Sequence, residues 1–469
     1  MSTPVIVIIG GGFCGMMTAV HLCRKAQTPL HIKIIHTGHP FAKGVAYSTY
    51  SKEHLLNVRT KGMSAFANTP DHFVQWLLQQ PDYSNIDATL LGNAFVPRIV
   101  YGNYLQHIWE QTLFNKPEHI NVEIITDTAI DIVHCVKGYH VICENSEPII
   151  ADSIVLATGN GQPRLPGGIA AQHNNNPWAQ ESVQNVSGYT DILIVGNGLT
   201  MADTVLGLRE NGFTGVIHTI SPHGYALRPH VAPHSTYTLP EEEVNASHTL
   251  QHWKRLIYKE VSLAAKTSLP QEVVIDALRP YTCKAWQQLT LADKQLFIKQ
   301  LGHRWNVLRH RLPAPIHQIL AQEQQQGKLV THAGIITQTS QQHPNTTIQV
   351  YWQNRSGQTQ ATLAVQKIIN CTGPDNNATA NSNPLLHTLY QKGVIVADPL
   401  QLGILVNKAN FSIIDADDFN HKRVVTLGNN LKGLLWESTA IPELRNQTEQ
   451  TSAYLLGILF KAQKKPVYK

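Results

Sequence analysis

The first apolar run, Val5-Ile6-Val7-Ile8-Ile9, is unbroken and β-branched, the pattern of a parallel strand covered on both faces. Three glycines follow at once, and helical spacing resumes from Met16 to Lys25. A second apolar segment, His31 to Ile35, completes a β-α-β unit of about 30 residues. A further strand is expected at Ile154 to Ala157, ending in Thr158-Gly159, and a polar stretch rich in Pro and Asn, 161–177, reads as a connection. The pattern then restarts with an apolar strand at Asp191 to Val195. From about 244 to 326 it turns helical and rich in Gln, strand-like segments return at 329–337, 347–352 and 367–370, and a helix from about 443 to 462 closes the chain. No repeat of solenoid length is present.

Composition narrows the class. With 469 residues the chain is long enough for two or three cores. Hydrophobic residues at 42% and charged residues at 15% suit a globular protein. A net charge of +5 with no long Lys/Arg run argues against a nucleic-acid partner. The opening apolar run is too short and too glycine-broken to span a membrane, and nothing before it resembles a secretory signal, so the cytosol is the expected compartment. Cysteines stand at 14, 23, 135, 143, 283 and 371 without a C-x-x-C or C-x-x-x-x-C pair, which speaks against a disulfide reductase.

Chemistry enters with the glycines. Gly10-Gly11-Gly12-Phe13-Cys14-Gly15 satisfies G-x-G-x-x-G between a strand and a helix. Gly10 permits the turn, Gly12 lets the backbone approach a pyrophosphate, and Gly15 lets helix and strand pack closely. The helix N-terminus that follows then offers its N–H groups to the phosphates, with Phe13 of the turn among the candidate contacts. The acidic residue expected at the end of the second strand is missing; His36 and Thr37 stand there as candidate ribose contacts. A second site reads Gly196-Asn197-Gly198-Leu199-Thr200-Met201, with Met201 where close packing usually wants a small residue. Its second strand ends at Ser221-Pro222-His223 without an arginine, which leaves NADPH and NADH both open. His223, His230 and His234 fit no common zinc spacing, so no metal is expected, and no nucleophile elbow is present.

Many further segments fall in a recognisable order. They include Lys43-Gly44-Val45-Ala46-Tyr47, His54-Leu55-Leu56-Asn57-Val58, Met63-Ser64-Ala65, and Val96-Pro97-Arg98 with Tyr101-Gly102-Asn103-Tyr104. Leu156 to Asn160, Gly198 to Met201 with Asp203, Trp305 to Arg311, Cys371-Thr372-Gly373-Pro374, and Trp436 to Arg445 continue the series. The chain resembles the bacterial FAD/NAD(P)-binding proteins related to the flavin-dependent N-hydroxylating monooxygenases, nearly end to end. Gly168, His173 and Trp178 also stand where such monooxygenases carry a loop fingerprint, with the His–Trp spacing one residue too long.

The resemblance implies an α/β fold with two Rossmann-like dinucleotide-binding domains and a helical subdomain. The FAD domain is expected over 1–187 and 374–469. The NAD(P) domain is expected over 188–373, with its helical insertion at about 240–326. Asn57 would offer its amide at the edge of the flavin ring, the one candidate for a direct catalytic role. Tyr47, Val58 and Met63 join the cofactor-binding set, with Thr158 and Gly159 at the strand end. Arg98 would bind a substrate carboxylate or cofactor phosphate, Gly428 and Asn429 would meet the ribityl or pyrimidine side, and Trp436 and Glu437 would lie by the ring. The implied reaction uses NADPH or NADH, FAD and molecular oxygen to oxygenate a small nucleophile such as an amine. A flavin reductase or oxidase, and a redox-sensing FAD-binding module without turnover, are the alternatives.

Overall fold

The structure is a computed structural model that describes residues 3–49, 51–136, 138–186, 188–232, 235–343, 346–375, 377 and 383–461. Two parallel sheets organise it. The first has six strands in the spatial order Ser412–Ile414, Asn420–Thr426, Ser153–Leu156, Val5–Ile9, Leu30–His36 and Ile120–Thr126. All run parallel except the outermost, Ser412–Ile414. Val5–Ile9 lies inside this sheet, and Ile6, Val7 and Ile8 are wholly buried, which is why its sequence does not alternate. The helix Phe13–Lys25 leaves the strand through the glycine turn.

The second sheet has four parallel strands, in the order Leu329–Ala333, Val216–Ser221, Asp191–Val195 and Lys367–Asn370. Its crossover helix, Leu199–Glu210, follows the second glycine turn. Helices between Glu241–Ala246 and Ala314–Gln325 form a separate apolar cluster around Trp253, Leu256 and Trp286. The two-Rossmann α/β expectation therefore holds, and the helical region falls where the pattern put it.

Three differences have physical reasons. The segment 329–337 is two strands in two sheets: after Ala333 the chain leaves the parallel sheet and enters an antiparallel one, Ile335–Ser340, Ile348–Gln353 and Gln360–Val365. Gly334 makes the switch, since a β-carbon there would lie 2.5 Å from the Trp352 ring. The antiparallel strands Ala129–Cys135, Gly138–Cys143 and Ile149–Ala151 carry no long unbroken apolar run, because they are short and only part of each is buried. Asn420–Thr426 begins with four polar residues and betrays itself only at Val424-Val425.

The closing helix runs from Ile441 to Lys461, two residues earlier than expected at its start; the expected end at 462 lies outside the described residues. It packs along Phe13–Lys25: the Ser452 hydroxyl donates to the Thr18 carbonyl at 3.2 Å, and Lys25 pairs with Glu449 at 2.7 Å. Among the described residues no helix is long and apolar enough to cross a membrane. Leu455 of this helix is fully buried. Leu455→Ala should cost about 2–4 kcal/mol by leaving a cavity under the helix that carries the glycine turn, visible as a lower urea midpoint for release of bound flavin.

Candidate cofactor and active site

The first turn is held open by backbone contacts. Gly10 has φ of 110°, and a β-carbon on it would meet the Ala157 carbonyl oxygen at 2.1 Å. One on Gly15 would meet the Gly10 oxygen at 1.8 Å. The protein itself therefore demands both glycines. Gly12 is different. A β-carbon there would meet only the Gly44 Cα at 3.6 Å, so the protein leaves the space that a larger side chain would fill. Gly12 is also the helix N-cap, with no side-chain cap and no acidic residue in the first turn. Its exposed amides and positive helix end match a pyrophosphate, which is the fit expected of FAD.

Around this turn, the His36 imidazole bonds the His39 carbonyl and its ring lies against Phe41, while Thr37 is exposed. Tyr47 packs on Tyr101 at 4.7 Å, and burial raises its hydroxyl well above the usual range. Thr158 accepts from the Asn430 amide at 3.0 Å, and Gly159 turns at φ of 72°. Gly428, at φ of 67°, donates to Gln447 of the closing helix at 2.8 Å; Asn429 and Asn430 are buried beside it. The C-terminal segment is thus brought to the strand end at Thr158.

The segment 54–60 lies against 94–98, with Leu56 donating to Val96 and Arg98 to His54. Asn57 sits there half-buried, its carbonyl bonded to His230 Nε2 at 3.0 Å and its side-chain amide without a partner among the described residues. Burial lowers the His230 pKa to about 4, so the neutral ring donates. Val58 is half-buried beside Asn57, and Met63 is buried a turn further on. Sequence reasoning gave no role to Arg311, whose side chain is 1% exposed. It pairs with Asp276, and its Nε and one terminal nitrogen have no acceptor among the described residues.

Arg98 is spoken for. Its guanidinium pairs with Asp203 at 2.7 Å and donates to the Leu55 carbonyl at 3.1 Å. His54 adds a bond from Nε2 to the Asp203 carbonyl at 3.0 Å. These residues join the first unit to the helix of the second, along a cleft of about 60 Å³ that also takes in Val45, Thr200 and the loop residue Trp178. The charge offered to a ligand phosphate or carboxylate is already neutralised within the protein. Trp436 and Glu437 are engaged as well. The Trp436 ring lies 4.7 Å from Trp286 and 5.2 Å from Phe297, and Glu437 takes a two-pronged bond from Arg309 at 3.0 Å.

The second turn repeats the first. Gly196, at φ of 106°, would drive a β-carbon to 2.4 Å from the Cys371 oxygen, whereas one on Gly198 would meet nothing within 4 Å. Gly198 is likewise an N-cap without a side-chain cap. Met201 is buried in the core below and breaks nothing. At the end of the second strand, Ser221 caps Gly224, and His223 stacks on Tyr225 at 4.8 Å. Arg355 reaches His223 at 3.0 Å from the distant hairpin 354–359. Asn197 of the turn bonds the Tyr225 carbonyl at 2.5 Å. An arginine therefore does stand by the second strand end, supplied from 132 residues away. Of the three histidines weighed as metal ligands, His223 and His230 have the partners given above and His234 lies outside the described residues.

Comparison with known proteins agrees with this geometry. Residues 7–161 match the FAD-NAD(P)-binding family. The N-terminal unit is an FAD-NAD(P)-binding domain. No curated protein matches the chain by sequence. In fold, the chain is similar to an ornithine N-hydroxylase from Kutzneria sp. 744, a structure with reduced FAD, NADP+ and L-ornithine. The TM-score is 0.65 at 16% identity over 99% of this chain and all of that one. It is similar to an ornithine hydroxylase from Pseudomonas aeruginosa at TM-score 0.63 and 14% identity, over 98% and all of the two chains. A bacillithiol disulfide reductase from Staphylococcus aureus follows at TM-score 0.55 and 12% identity, over 99% and all. The fold is that of these two-nucleotide flavoproteins.

Thiols near the FAD-NAD(P)-binding domain and the second turn are not poised for exchange. Burial pushes Cys14 up to about 12 and Cys371 up to about 12, against the favourable helix end at Cys14. The two glycines that the protein does not need make the sharpest test. Gly12→Val should abolish FAD retention in the purified protein. Gly198→Val should leave FAD bound but stop anaerobic bleaching of the flavin band by NADPH or NADH. A Gly12→Val protein that stays yellow would show that the first turn is only structural.

Proposed function

We propose that this chain is an FAD-dependent NAD(P)H oxidoreductase that oxygenates a small nucleophile, an amine in the simplest case. The observation that carries this reading is the pair of glycine turns whose second glycines face open space, one on each parallel sheet. A protein keeping FAD only as structure has no use for the second. The solved structures of similar fold, which include hydroxylases of ornithine and lysine and a cadaverine monooxygenase, support the reaction class. We read residues 1–187 with 374–469 as the FAD domain, 188–373 as the NAD(P) domain, and the compartment as the cytosol.

FAD, when bound, supplies the two-electron chemistry by which NAD(P)H and oxygen yield one oxygen atom for the substrate and one for water. The chain's own residues hold and shield. The N-terminus of the Phe13–Lys25 helix holds the pyrophosphate, and the Asn430–Thr158 bond fixes the strand end under it. Asn57, its backbone pinned by His230, keeps an amide ready for the ring edge. Arg98, His54 and Asp203 set the second unit against the first, so their role is positional. Arg311, with two unsatisfied donors in a buried place, is suited to an acceptor on the cofactor or substrate.

Two measurements test the reading. With FAD and NADPH, a panel of primary amines that includes ornithine, lysine and cadaverine should yield a product heavier by one oxygen atom, with less peroxide released than NADPH consumed. Asn57→Ala should keep FAD and raise the peroxide share, because losing one half-buried amide partner is worth about 1 kcal/mol. Peroxide equal to NADPH with every amine would replace the monooxygenase with an oxidase. The position of Arg355 also predicts a cofactor preference. Arg355→Ser should raise KM for NADPH about tenfold, a loss of about 1.4 kcal/mol, and leave NADH nearly unchanged. Equal effects on both cofactors would remove Arg355 from the 2′-phosphate.

A further inference from the structure

Among the helices between 250 and 308 lies a cavity of about 170 Å³, walled by Trp253, Ile257, Leu278, Trp286, Trp305 and Trp436. It is larger than the apolar cavity of about 150 Å³ that stays dry and admits benzene. Interiors of well-packed helices rarely leave a gap of this size. The wall is also completed at a cost. Trp436 comes from outside the helical region and is held at φ of 60°, a left-handed conformation rare for a bulky residue.

Two buried polar groups of the cavity are donors left without an acceptor, and its charged groups are all cationic. The indole nitrogens of Trp253 and Trp305 are buried and have no acceptor in the protein, and Trp253 as a whole is 7% exposed. Trp286, by contrast, donates to the Gly433 carbonyl at 2.9 Å. Lys254 and Arg304 line the same space, and neither has a salt-bridge partner among the described residues. Of the lining residues Arg304 is exposed and Tyr258 is 53% exposed, so both border the opening. No Asp or Glu lines the cavity. Lys294 and Lys432 approach the faces of Trp286 and Trp436 from outside, adding positive charge and no acceptor.

A site with an apolar body, unpaired donors and only cationic charge calls for an apolar molecule that ends in an anionic acceptor. We propose that this cavity binds a small carboxylate with an aromatic or alkyl body of roughly six to ten carbon atoms. The body fills the tryptophan-lined space, the buried indole N–H groups find their acceptor, and Arg304 and Lys254 meet the charge at the mouth. An amine-terminated molecule of the same shape would leave those donors unpaired and face like charge. The site is separate from the proposed reaction, and binding is read without turnover, so its test does not depend on oxygen transfer.

The experiment uses the full chain loaded with FAD and titrates octanoate, 3-phenylpropionate, octanol and octylamine, read by tryptophan fluorescence and by calorimetry. Octanoate or phenylpropionate should bind saturably below millimolar concentration, at least tenfold tighter than octylamine, with the flavin spectrum unchanged. Arg304→Gln, a change at an exposed position, should weaken the carboxylates at least fivefold and leave octanol unaffected. Ala285→Phe should fill the cavity and abolish binding of all four without lowering the thermal midpoint. No binding of either carboxylate up to millimolar concentration would overturn the proposal, as would octylamine binding as tightly as octanoate. Carboxylate binding unaltered in both variants would place it elsewhere and overturn it too; if Ala285→Phe does not fold, the Arg304→Gln titration decides.

Discussion

Where Gly15 passes the Gly10 carbonyl, a β-carbon would lie 1.8 Å from that oxygen, and one on Gly10 would lie 2.1 Å from the Ala157 oxygen. These are contacts between main chains, and side chains cannot relieve them. They force the helix Phe13–Lys25 to start close over the end of Val5–Ile9, and they bring Ser153–Leu156 alongside, so that strand end, helix start and neighbouring strand converge on one point. The same arrangement recurs where Gly196 meets the Cys371 carbonyl. Everything proposed for the cofactors follows from these two close approaches, because each leaves a bare helix N-terminus facing open space.

Coupling between the two units depends on a short list of buried polar groups. Asp203 is the centre: its carboxylate takes Arg98, and its backbone carbonyl takes His54. Because Arg98 and Asp203 are both largely shielded, the pair fixes orientation more than it adds stability. His230 does the same work at Asn57 in its neutral form. The nucleotide sites proposed on the two sheets are useful to each other only if their separation is set, and these bonds join the two units.

The helical region answers a different constraint. Its apolar face is closed by Trp436, which follows directly on the segment that carries Gly428 and Asn429, and by the Arg309–Glu437 pair beside it. The chain that reaches the strand end at Thr158 therefore also completes the helical core. This explains why residues expected at the flavin ring are found facing helices instead: the short stretch from 428 to 437 spans both environments, and sequence order does not say which side chain turns which way.

Read by itself, the sequence determined both glycine turns, the parallel strands that lead into them and the helical character of 244–326. Those features rest on local physics: an unbroken β-branched run has nowhere to go but between layers, and a glycine followed by helical spacing marks a close backbone turn. Asn420–Thr426 stayed hidden although it lies inside the sheet, because its first four residues are polar and only its last three are buried. Only the tertiary structure decided what Arg98, Trp436 and Glu437 touch, since an arginine or tryptophan has the same letter whether it faces a ligand or a partner 105 to 150 positions away. Arg355 makes the point most directly. Nothing in the second strand signals an arginine at its end, because the antiparallel hairpin brings one there from the far side of the sequence.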